Sequence, residues 1–155
     1  MATKIGTGPE DIPLNQFLGE MAYMDNFYEK GTFTATCANG VTLNGSSDLC
    51  QYVKVGNLVT VMGQIQVSNS NSGSALTINN LPYAVASAGG GAGLSAGSVR
   101  LYNADMAADH KYIICMSDIG TTNLNFQGVR DNATSQGLGA TTNGYYMFNI
   151  TYMTD

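Results

Sequence analysis

Hydrophobic side chains recur at every second position along most of this chain after residue 30. Phe33, Ala35 and Cys37 alternate with Thr32, Thr34 and Thr36, the pattern of a half-buried strand. Val59, Val61, Gly63, Ile65 and Val67 alternate with Thr60, Met62, Gln64 and Gln66, which predicts the clearest strand of the sequence. Near the C-terminus Tyr146, Phe148, Ile150 and Tyr152 alternate with Tyr145, Met147, Asn149 and Thr151. Both faces carry bulk there, so a strand covered on both sides is expected. Shorter strands are predicted at Leu49–Val55, Ser74–Ile78, Tyr83–Ala86, Ser98–Asn103, Tyr112–Met116 and Leu124–Gln127.

Turn chemistry separates these runs. Asn39-Gly40, Asn44-Gly45, Gly56-Asn57 and Asn143-Gly144 suit positions that need positive φ. Asn69 to Gly73 reads as a polar hairpin tip, and Ala104 to His110 as at most one helical turn. Residues 87–97 form a Gly-rich bridge, either a loose loop or a place of close backbone approach. Many short strands between turn signals predict an all-β fold, an antiparallel β-sandwich of jelly-roll-like form.

The first residues follow another period. Pro9 and Pro13 flank Glu10-Asp11-Ile12, and Asn15 suits the cap of a short helix from Gln16 to about Asp25. Phe17, Leu18, Met21, Ala22 and Met24 give that helix a wide apolar stripe, which needs a partner surface: its own sheet, another subunit or a docking site. The chain therefore divides into an N-terminal attachment and oligomerisation arm, residues 1–27, and a β-sandwich knob, residues 28–155. Ile12, Leu14, Phe17, Leu18, Met21 and Met24 are the expected particle or subunit contacts.

Composition narrows the function. Charged residues make up 11% of the chain, against about 25% in typical soluble proteins. Asn, Ser, Thr and the 19 Gly must then supply most of the surface. The net charge is −5 and the six basic residues are scattered, so no nucleic acid partner is expected. No apolar run approaches ~20 residues, and membrane insertion is not expected either. The Met1 to Gly6 start has no apolar run of a signal peptide, which points to synthesis in a cytosol. A Cys37–Cys50 bridge is conceivable across one hairpin, but a reducing cytosol favours buried thiols for these two and for Cys115.

Candidate chemistry is sparse. His110, the single histidine, lies in a polar stretch before a strand and reads as a solvated turn residue. Asp105, Asp109 and His110 lack recognised metal-ligand spacing. No carboxylate pair, phosphate loop or CxxC motif stands out. No enzymatic activity, cofactor or metal is expected. Tyr and Asn combine ring faces with amide hydrogen bonds, which suits sugars and flat protein surfaces. The loops Ser68–Ser74, Gly120–Asn123 and Arg130–Asn143 are surface candidates.

The run from Ile12 to Asp25, followed by Phe27-Tyr28-Glu29-Lys30-Gly31-Thr32-Phe33-Thr34, resembles a junction in tail-fibre and other virion proteins of phages, notably those of marine bacteria and cyanobacteria. The stretches Gln51–Gly63 and Leu76–Tyr83, and the ending Phe148–Thr154, are similar to the same family. The resemblance implies a homotrimeric fibre or fibre knob of a virion, assembled in the host cytoplasm. Such a knob attaches to other virion proteins of the tail or capsid and contacts a host-surface glycan. Capsid decoration is the alternative, because long fibres carry an upstream shaft.

Overall fold

In the computed structural model, residues 4–5, 12–13, 27–45, 49–70, 75–87, 94–106, 108–131 and 133–155 are described. Every named element among them is a strand. Lys4–Ile5 (β1) and Ile12–Pro13 (β2) pair antiparallel as a separate two-stranded ladder. The remaining strands are Tyr28–Thr34 (β3), Thr42–Leu43 (β4), Leu49–Val55 (β5), Leu58–Asn69 (β6), Thr77–Ile78 (β7), Ala96–Tyr102 (β8), His110–Ser117 (β9), Leu124–Arg130 (β10), Gln136–Gly137 (β11) and Tyr145–Met153 (β12). All their pairings are antiparallel.

The main path runs β11-β10-β9-β8-β12-β6-β5-β3, with β4 on β6 and β7 on β10. It consists of two meanders joined by β12, which lies between β6 and β8. The sheet closes over itself as a β-sandwich, because side chains of β10 meet those of β12 although two strands separate them along the path. Phe126 packs edge-on against Tyr146 and Phe148, at ring-centroid distances of 5.9 and 5.7 Å.

Alternation makes the core. Val59, Val61, Ile65 and Val67 of β6 are fully buried, as are Tyr146 and, within a percent, Ile150 and Tyr152 of β12. They meet Leu76, Ile78, Leu81 and Val85, with Leu124 and Phe126 of β10 and Leu138. The buried tyrosines keep their hydroxyls satisfied, as burial of a phenol requires. Tyr146 Oη accepts from Thr141 N at 2.8 Å, and Tyr152 Oη donates to Tyr83 O at 3.0 Å.

Two expectations are corrected here. Tyr83–Ala86 forms no strand. Val85 N donates to Thr121 O and Gly120 N to Val85 O, so this segment is tied to a neighbouring loop instead of a ladder. Among the described residues, the expected double cover of β12 is also absent. Its Tyr146 face is buried, whereas Asn149, Thr151 and Met153 on the other face are exposed and Tyr145 and Met147 half-buried. The helix expected from Gln16 to Asp25 lies outside the described residues.

Candidate functional site

Strand pleating sends alternate side chains to opposite faces, so the buried set fixes which residues look outward. The registers Thr32↔Gln51, Gln51↔Met62, Asn149↔Met62 and Asn149↔Ser98 align one outward row across β3, β5, β6, β12 and β8. Two depressions of about 350 Å³ each lie along this row and meet at Met62. One reaches Lys30, Thr32, Gln51 and Val53; the other reaches Arg100, Met147, Ser98 and Asn149. These two shallow, adjoining depressions, with Met62 lining both, make up the outer groove across five strands.

Amides and hydroxyls from Thr32, Gln51, Asn149 and Ser98 alternate there with the apolar surface of Met62, Val53 and Met147. Lys30 stands at one end and Arg100 at the other. The outward positions of these five strands carry no carboxylate, although the chain as a whole has a net charge of −5. Tyr102 and Tyr145 sit beside the Arg100 end with ring centroids 5.7 Å apart, and Tyr102 is exposed.

On the opposite face of β3, a carboxylate is fully occupied. Tyr52 Oη and Tyr83 Oη donate to the two oxygens of Glu29. These bonds, foremost that from Tyr52, hold the Glu29 carboxyl below its ordinary range. The same partnership, with lesser desolvation, raises both phenols. Lys54 Nζ lies 5.3 Å from the centre of the Tyr83 ring, a cation–π placement. The cluster ties β3 and β5 to the segment 79–87, and so braces the strands beneath the Lys30 end of the groove.

His110 is not a solvated turn residue. It opens β9, is only 8% exposed, and its ring covers Gly128 of β10 closely enough that no Cβ would fit between them. Among the described residues, neither ring nitrogen has a hydrogen-bonding partner. Asp109 faces elsewhere: its Oδ2 accepts from Arg130 Nη1 at 3.0 Å, and that bond lowers the carboxyl. Arg130 also donates through Nε and Nη2 to Thr134 O. Asp109 and His110 therefore do not converge on a common cation position.

The three cysteines are thiols, with Cys50 and Cys115 buried. Burial pushes the Cys115 thiol up to about 12. Of the expected contact residues, Ile12 pairs with Ile5 in the small ladder. Leu14, Phe17, Leu18, Met21 and Met24 lie outside the described residues. The loop candidates are locally engaged. Ser70 Oγ and Thr142 Oγ1 are 2.7 Å apart, and Thr121 Oγ1 donates to Asp118 O at 2.8 Å. Sequence reasoning missed the groove because its ends come from β3 and β8, and only the strand order brings them to one face. The usable signal was parity: Lys30 and Arg100 both fall on the polar phase of their strands.

No family model matches the chain, and no curated protein does. Among solved structures, its fold is similar to part of the Dettilon tailspike protein, with a TM-score of 0.55 and 16% identity over 81% of this chain. The matched region is 24% of that protein, so the chain spans about a quarter of its length. At this identity the likeness is one of fold: the chain shares a β-rich architecture with a portion of a phage tailspike.

Proposed function

We propose that this chain is a phage virion structural protein, a trimeric fibre or fibre knob that attaches to the particle and contacts the host surface. The observation that carries this reading is the fold shared with a tailspike portion over 81% of the chain. The resemblance of the Ile12–Thr34 junction to virion fibre proteins supports it independently. The working surface in this reading is the outer groove, whose lining among the described residues holds no carboxylate, thiol or imidazole. Its work is contact, not turnover.

Immunogold labelling of purified particles with an antibody to this chain tests the assignment. Label at the tail is expected. Label spread over the head would replace the fibre reading with capsid decoration, and unlabelled particles would refute both. Native mass spectrometry tests the oligomer: a species of three 16.3 kDa chains is expected, and a monomer at micromolar concentration would overturn the trimer.

A further inference from the structure

We propose that the outer groove binds an acidic polysaccharide, laid across the strands with its anionic groups at Lys30 and Arg100. The proposal rests on reading this face as a host-contact surface and adds the chemical class of the ligand. Its first support is charge segregation. In a chain of net charge −5, the outward positions of β3, β5, β6, β12 and β8 hold two cations and no acid. The sequence neighbour Glu29 faces the other way, held by Tyr52 and Tyr83. Among the described residues the one ion pair is Arg130–Asp109, so no described carboxylate neutralises Lys30 or Arg100.

The second support is dimension and lining. Lys30 on β3 and Arg100 on β8 are four strand spacings apart and offset by four residues along the strands, roughly 23 Å in a flat sheet at about 4.8 Å per strand and about 3.4 Å per residue. Such a span suits a short run of sugar rings. Between the cations, Thr32, Gln51 and Asn149 offer uncharged donors and acceptors to ring hydroxyls, and Met62 offers an apolar floor to ring C–H faces. A protein partner would rather be anchored by an aromatic side chain in a deep pocket, and both depressions are shallow.

The whole 155-residue chain is titrated with polygalacturonate, and with dextran as the neutral comparison, by calorimetry at low and at raised salt. Binding to polygalacturonate that weakens with salt, and none to dextran, is expected. Lys30→Gln and Arg100→Gln should each lower affinity about three- to tenfold. Lys111→Gln, which removes an exposed cation from β9 away from the groove, should leave it unchanged. Met62→Asp, placing a carboxylate at the midpoint, should abolish binding while the thermal transition stays cooperative.

Equal weakening by Lys111→Gln would reduce the effect to diffuse attraction and overturn the site. Equal affinity for dextran would overturn the acidic class, and absence of binding at low salt would overturn the proposal outright. If Arg100→Gln instead dissociates an oligomer in sedimentation, the face is a contact between copies and not a glycan groove. Particle labelling is read independently, so failure here leaves the virion assignment standing.

Discussion

At the scale of single residues, close approach governs what the chain tolerates. Gly128 lies against the His110 ring, and a methyl group there would overlap the imidazole. Gly97 in β8 faces the backbone carbonyl of Asn149 and the Cys115 sulfur, so its added Cβ would meet main chain that cannot swing aside. Gly97→Ala should therefore destabilise the fold by roughly 1–3 kcal/mol, the usual cost of overpacking, read as a lower midpoint in urea. The Cys115 thiol, pushed up to about 12 by burial, should resist alkylation at pH 8 in the native protein and react at once in denaturant, as site-resolved mass spectrometry would show. Glu29 supplies a pH dependence. Its folded pKa lies below the ordinary value of 4.5, so its contribution is present above that value and fades as pH falls through the folded pKa. The stability difference between the natural protein and Glu29→Gln should accordingly shrink on acidification below about pH 4.5, measured by urea midpoints across that range. A difference that stayed constant to pH 2 would show that the two phenols do not discriminate the charged carboxylate.

At the scale of elements, β10 and β12 hold the two layers together through the Phe126 ring, which meets both Tyr146 and Phe148. Phe126→Ala should cost about 3–5 kcal/mol, and equilibrium unfolding would reveal a smaller loss if the layers can collapse together. Period-two patterning was sufficient to place the long strands. The run Leu49–Val55 coincides with β5, and the patterns in β6 and β12 extend by only a residue or two. The Asn39-Gly40 turn is realised with both residues at positive φ, whereas Asn44-Gly45 is not. Strands β4 and β11, two residues each, have no room for a period and left no trace in the sequence. His110 was misread because its burial depends on Gly128, which lies on β10 two residues from His110's register partner Arg130, next to the register shift at Val129/Arg130. The groove was hidden for a related reason. Each of its residues looks like an ordinary polar strand position until β12 enters between β6 and β8 and aligns them.

At the scale of the whole molecule, the organising feature is the separation of one weakly charged, cation-bearing sheet face from an otherwise acidic chain. Its outward Met62, Tyr102 and Met153 are each more than 40% exposed, an apolar content that charge alone does not explain and that contact would cover. The central position of β12 has a different consequence, one of timing. The ribosome releases β12 after both meanders that it joins, so each of these first emerges with a long bare edge, on β6 or on β8, able to recruit strands from neighbouring chains. Chains cut before Tyr145 should accumulate as insoluble material. A synthetic peptide of residues 145–155 supplied during refolding should return part of it to solution, as sedimentation would show. Closure of the sheet between β6 and β8 is thereby made to depend on the late-made residues 145–153.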